Sequence, residues 1–231
     1  MNTQDHISQE YNEELETLRS KALTMGGLVE EHFTGATKSL LKGKTQLAQH
    51  IAQEDYKVNA LEVSLDEDCS SLIARRQPTA IDLRNIFAVI KIVTDLERIG
   101  DESEKIAKFA SELCNDAKSM KFYNSLKALV VSAREMLSAA LDCYARLDAD
   151  KALEVAQMDS DVDSEFVNLN RILSTYLLED IKNIDDTVKV MWCARSIERV
   201  GDHAKNICEY VVYVVHGNDI RHITDDEAEQ K

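Results

Sequence analysis

The 231 residues carry 42 acidic against 27 basic side chains, a formal net charge of −15, with only one proline and seven glycines. So few turn-formers exclude an all-β fold, which needs a turn roughly every 8 to 12 residues. So negative a chain repels nucleic-acid backbones and anionic lipid over at least a Debye length.

In chain order, apolar residues recur at helical spacing over 5–42, 45–75 and 79–114, and again over 120–147, 149–182 and 186–216. Gly43 and Pro78 punctuate the first half, the glycine as a left-handed helix end and the proline as a first-turn residue. Asp148-Ala149-Asp150 and Asn183-Ile184-Asp185-Asp186 are the polar breaks of the second. The opening MNTQDHISQEYNEEL has no basic region followed by an apolar stretch, and the run Tyr210–Val215 is too short to cross a bilayer, so a cytoplasmic chain is expected. Cys69, Cys114, Cys143, Cys193 and Cys208 are odd in number and form no CxxC pair. They read as buried free thiols in a reducing compartment, not as a disulfide framework or a thiolate zinc site.

The chain repeats itself. TDLERIGDESEKIAKFA at 94–110 and RSIERVGDHAKNICEYV at 195–211 share the pattern ERxGDxxxxI without a gap. AQED at 52–55 and AQMD at 156–159 align more faintly, as do Tyr11-Asn12 and Tyr123-Asn124. The fold class that follows is all-α: six long helices in two tandem three-helix bundles related by internal duplication, residues 1–115 and 116–231, joined near Asn115 to Lys121. Val89, Ile92, Leu96, Ile99, Ser103, Ile106, Ala110 and Leu113 predict the packing seam of the third helix. Val190, Ala194, Ile197, Gly201, Ala204, Ile207 and Val211 predict that of the sixth.

Each repeat carries an i, i+4 acid pair, Glu97 with Asp101 and Glu198 with Asp202. Taking about 100° per residue from Leu96, the first pair falls about 100° and 140° off the seam, so these carboxylates flank the core and reach solvent. Like charges at this spacing cost a bare helix roughly 0.2 to 0.5 kcal/mol, which a bound cation would relieve. Oxygen ligands suit a hard divalent or iron-type ion, and the sequence does not distinguish magnesium, manganese, iron or zinc. Asp55 and Asp159 are weaker candidate ligands, placed by the fainter repeat. The plainer alternative is that Arg98 and Arg199 neutralise Asp101 and Asp202 in surface ion pairs. Lys105 stands four residues after Asp101 where Asn206 follows Asp202, so the second pair is expected to bind metal more readily. His203 and His216 read as ordinary solvated or hydrogen-bonded histidines. Trp192, Tyr210 and Tyr213 read first as bundle packing or half-exposed aromatics and second as an interface. No HExxH, GxSxG, phosphate-cradling glycine loop or Glu-x-x-His motif is present, so no catalytic residue is assigned and an enzyme is disfavoured.

TDLERIGD and SIERVGDHAKNICEYVVYVVHGNDIRH resemble the paired signatures of the PhoU family of phosphate-transport regulators, and RRQPTAIDLR is similar to that family's inter-helix turn. The resemblance spans nearly the whole chain. It implies two three-helix bundles that self-associate, commonly as a homodimer, with metal bound in some members by acidic motifs that map onto Glu97, Asp101, Glu198 and Asp202. It implies two partners, the ATPase subunit of the phosphate ABC transporter and the phosphate sensor histidine kinase, and membrane contact only through such proteins. The function it implies is negative regulation of phosphate uptake and of the phosphate-starvation regulon. The competing readings are an oxygen-liganded metal-storage bundle without a signalling role and a purely structural helical scaffold.

Overall fold

The computed structural model describes residues 3–113, 122–179 and 183–217. Helix α1 (Thr3–Lys42) shows the rule by which the rest assembles. Leu18, Ala22, Met25, Val29, Phe33, Ala36 and Leu40, spaced by threes and fours, are all buried, which places them on one helical stripe. Gly43 ends the helix in a left-handed conformation (φ 61°). The Lys44 N–H then reaches back to the Ser39 carbonyl at 3.1 Å, closing the helix end.

Helices α2 (Thr45–Glu54), α3 (Tyr56–Arg76) and α4 (Ala80–Glu112) complete the first bundle. Helices α5 (Tyr123–Arg146), α6 (Ala149–Gln157), α7 (Asp159–Glu179) and α8 (Ile184–His216) repeat the plan. Pro78 lies between the left-handed Gln77 and the extended Thr79, just before α4 and not within its first turn. Asp148 caps α6 by accepting the Lys151 N–H at 3.0 Å. Cys114 and the join at Asn115 to Lys121 lie outside the described residues.

The six-helix plan holds, with one difference: the middle helix of each bundle is interrupted, at Asp55 in the first and at Met158 in the second. Buried positions explain it. Ile51, Asp55 and Val58 follow the core stripe at spacings of four and three, as do Val155, Asp159 and Val162. An acid thus occupies a core position in each middle helix. There the α ladder yields to an i+3 bond, Val58 N–H to Asp55 O at 2.9 Å and Asp161 N–H to Met158 O at 3.0 Å. Asp55 keeps helical angles (φ −55°, ψ −33°), so the segment bends without forming a loop.

Helices α4 and α8 share the most extensive helix contact, and α1 and α5 pack on their inner sides. They run antiparallel: Arg84 near the start of α4 lies over the Tyr213 ring near the end of α8. At the other end, Lys189 reaches the Glu112 carbonyl. Both predicted seams are buried from Val89 to Ala110 and from Val190 to Val211. Burial of each large aliphatic side chain contributes roughly 1.5 to 3 kcal/mol. Cys69, Cys143, Cys193 and Cys208 are free and buried. Burial pushes the Cys69 thiol up to about 11 and raises the other three as well. Among the described residues, no helix is long and apolar enough to cross a membrane.

The glycine of each ERxGD repeat is where the broken middle helix comes closest. A Cβ at Gly100 would stand 3.0 Å from Val58 Cγ1 and 3.4 Å from Asp55 Oδ1. One at Gly201 would stand 3.1 Å from Val162 Cγ1 and 3.6 Å from Asp159 Oδ1. Gly201→Val is therefore expected to lose roughly 1 to 3 kcal/mol through overpacking, despite the better helix propensity of valine. At about 2 to 4 °C per kcal/mol for a chain of this size, thermal unfolding followed by circular dichroism resolves the loss. Gly27→Ala, with nothing within 4 Å of its Cβ, should instead raise the midpoint.

Candidate metal-binding acidic clusters

The two glycine notches organise a cluster of carboxylates apiece. In the first, Asp55 from the α2–α3 bend and Glu62 from α3 face Glu97 and Asp101 of α4. Asp55 is buried, and its Oδ2 accepts from Asn59 Nδ2 at 3.2 Å. Its Oδ1, turned to Gly100, is buried with no donor. Glu97 and Asp101 are half-buried. Burial, followed by mutual repulsion, raises the carboxyls of Asp55, Glu62 and Glu97 above their ordinary range: Asp101 repels all three, and Glu104 also repels Asp55.

The second cluster has the same plan with different chemistry. Asp159 and Asp163 of α7 face Glu198 and Asp202 of α8. The Asp159 and Glu198 carboxylates each keep one buried oxygen without a donor, Oδ1 and Oε2 respectively. Burial first, then neighbouring acids, raises the carboxyls of Glu198 and Asp202. Here the cluster contains cations of its own: Lys205 Nζ donates to Asp159 Oδ2 at 2.9 Å, and Arg195 Nη1 to Glu198 Oε1 at 2.7 Å. The repeat-equivalent positions in the first cluster are Glu104 and Thr94.

Each acid pair thus meets its expected helper, Asp55 or Asp159, but three expectations are corrected. Glu198 does not reach solvent: it is only 8% exposed, beneath Arg195. Lys105 does not stand in for a cation beside Asp101, because it donates to Glu102 at 3.0 Å. Arg199 does not neutralise Asp202, because it too donates to Glu102, at 3.0 Å. The cations thus lie the other way round from that expectation: Lys205 and Arg195 sit in the second cluster, and Lys105 turns away from the first. Sequence reasoning missed Glu62 and Asp163, although Asp163 lies four residues after Asp159 and Glu62 seven after Asp55, on the same helical faces.

Between the bundles lies a polar layer. Asp95, 3% exposed on α4, has His203 Nδ1 at 2.7 Å and accepts from Asn206 Nδ2 at 3.1 Å. Glu102, also buried, is held below the usual carboxylate range. Burial alone would raise it, and hydrogen bonds from Ser196, Lys105 and Arg199 outweigh that. In the repeat, Asp95 aligns with Ser196 and Glu102 with His203, so the two pairings are related by a local two-fold axis. His203 is thus a hydrogen-bonded histidine across the bundle interface.

Orphaned carboxylate oxygens amid further acids are the donor set a hard cation fits, and Asp55, Glu97 and Asp101 or Asp159, Glu198 and Asp202 are the residues that would hold it. Among the described residues, no three His, Cys, Asp or Glu side chains converge as they stand to enclose an ion. Each cluster opens to solvent, through half-buried Glu97 and Asp101 in the first and exposed Asp202 in the second, which suits an ion that keeps water in its shell.

The PhoU domain family model matches the chain twice, over residues 22–110 and 126–211. The phosphate-specific transport system accessory protein PhoU homolog of Pseudomonas putida is 46% identical over 218 residues, 94% of this chain and 85% of that protein. The accessory protein PhoU of Escherichia coli strain K12 is 40% identical over 230 residues, 100% of this chain and 95% of that one. The crystal structure of PhoU from Pseudomonas aeruginosa superposes with a TM-score of 0.86 at 44% identity, over 90% of this chain and 100% of that one. The phosphate transport system regulatory protein PhoU from Streptococcus pneumoniae gives 0.83 at 27% identity, over 90% and 98%.

A carboxyl whose folded pKa lies above its unfolded one favours folding below the ordinary carboxylate range, and that contribution is lost as pH rises through the folded pKa. The clusters therefore weaken the fold at neutral pH. Asp55→Asn is expected to raise the thermal midpoint at pH 7 by up to about 4 °C. The gain should vanish as pH falls below about 4, where an aspartate carboxyl is protonated in the folded and the unfolded chain alike.

Proposed function

Because the chain belongs to the PhoU family, we propose that it regulates phosphate transport as a non-enzymatic cytoplasmic adaptor. It would bridge the ATPase subunit of the phosphate ABC transporter and the phosphate sensor histidine kinase. When phosphate is plentiful the bridge restrains uptake and holds the starvation regulon off. The observation that supports this most is the double match to the family, with both ERxGD motifs placed at equivalent points of the two bundles. In this reading the chain self-associates as a homodimer, meets the membrane only through its protein partners and does not bind nucleic acid. Deleting the gene is expected to leave starvation genes expressed in high phosphate, measured with a transcriptional reporter. Full repression in the deletion strain would defeat the adaptor reading.

Metal binding at the acidic grooves belongs to the same proposal. A cation there would screen the mutual repulsion of the carboxylates and tie the α2–α3 bend to α4, and the α6–α7 bend to α8. A net charge of −15 leaves free phosphate little to bind without such a cation. A storage role is disfavoured because the sequence lacks the Glu-x-x-His motifs of di-iron bundles. With Lys205 and Arg195 already inside the second cluster, Glu97→Gln with Asp101→Asn is expected to remove more bound manganese than Glu198→Gln with Asp202→Asn. Calorimetric titration of the purified full chain checks the order, and equal losses would count against it.

A further inference from the structure

A chain with fifteen surplus negative charges nevertheless presents one basic face. It runs along the outer side of α4 and α8, away from α1 and α5. On α4, Phe87, Lys91 and Arg98 recur at four and seven residues, on one stripe. Phe87 is 47% exposed, and Arg98 is exposed too. On α8, Trp192, Arg195 and Arg199 form the matching stripe, and Trp192, the only tryptophan of the chain, is 58% exposed. Trp192 is thus one of the half-exposed aromatics that the sequence allows.

The two stripes are one surface, because α8 side chains touch α4 side chains along it. Lys91 Nζ lies 5.5 Å from the Tyr210 ring centroid, and Arg199 reaches Glu102. The cations are held in place by ring and carboxylate contacts, yet the Arg195 and Arg199 side chains stay 49% and 50% exposed. The carboxylates that these two touch, Glu198 and Glu102, are buried behind them. What the face offers outward is guanidinium edges, an ammonium, an indole and a phenyl ring.

We propose that this α4–α8 face docks an acidic element of a partner protein, whose carboxylates meet the arginines and whose apolar side chains cover Trp192 and Phe87. Exposed Trp with Arg is the combination that dominates protein–protein binding energy, and arginine forks pair carboxylates bidentately. A flat anionic membrane fits less well. Laid on this face it would also approach the two acidic grooves that flank it, and the net charge of the chain opposes it over a Debye length of about 10 Å. A protein element one helix wide lies along the stripe and meets the second groove only at Arg195, whose side chain stays 49% exposed beside Glu198.

The proposal rests on the adaptor reading for the identity of its partner, and the test separates the two. Full-length wild-type protein, Trp192→Ala, Arg98→Glu and the control Val167→Ala, exposed on α7, are incubated with detergent-solubilised membranes from the parent cell. Recovery of the transporter ATPase and of the sensor kinase is then quantified, with vesicles of anionic phospholipid in parallel. Trp192→Ala and Arg98→Glu are each expected to lower recovery of at least one of the two proteins by about tenfold or more, with unchanged circular dichroism. Val167→Ala should leave recovery unchanged, and vesicles should retain none of the four. Equal recovery by wild type and both face variants overturns the docking face and leaves the adaptor reading standing. Recovery of neither protein by wild type overturns both. Loss with Val167→Ala as well, or capture by vesicles that the face variants abolish, also overturns it.

Discussion

An acid placed at a core position must find room, and in this molecule the room is a missing side chain. Asp55 and Asp159 enter their bundles where Gly100 and Gly201 leave α4 and α8 bare. A larger residue at either glycine would crowd Val58 or Val162 and press on the middle helix. With the helix would go the inward carboxylate and the facing of Asp55 toward Glu97 and Asp101, or of Asp159 toward Glu198 and Asp202. The bend of each middle helix, the open groove and the raised proton affinity of its acids are consequences of one close approach made twice. The ERxGD motif therefore reads as geometry first: glycine sets the distance, and glutamate and aspartate take the edges it creates.

The same duplication builds the seam between bundles. Because α4 and α8 pack antiparallel, a residue of one repeat meets the partner position of the other, and polar chemistry diverged across that axis. Asp95 found His203 and Asn206, while Glu102 found Ser196 and Arg199. Buried acids with several donors each fix the relative register of two otherwise smooth helices, since removing a donor strands a charge in the interior. One helix pair thus carries acidic clusters on its flanks, a register lock in its seam and exposed arginines outward.

Most of the architecture was legible in the sequence because helical seams are written by residue type at fixed spacing, and every predicted seam residue from Val89 to Ala110 is buried. The broken middle helices were not, because aspartate in an apolar stripe reads as a surface residue until the glycine opposite it is known. The acid pairs were found from spacing, but their environment was not, since the reach of a lysine depends on the neighbouring helix. Lys105 and Lys205 illustrate this: the first turns along its own helix to Glu102, and the second crosses to Asp159. The polar seam left a trace that could have been read, because Asp95 and Glu102 each precede a seam residue by one and align with Ser196 and His203, hydrogen-bonding partners of complementary kind.

The four enclosed thiols have a chemical corollary. A sulfhydryl reacts as its thiolate, and Cys69, Cys143, Cys193 and Cys208 are both shielded and reluctant to ionise. Oxidants and alkylating agents therefore reach these sulfurs slowly while the helices stay packed. Because Cys69 sits in one bundle and the other three sit in the second, the rate at which each sulfur becomes modifiable is a built-in stopwatch for the transient loosening of that half of the molecule.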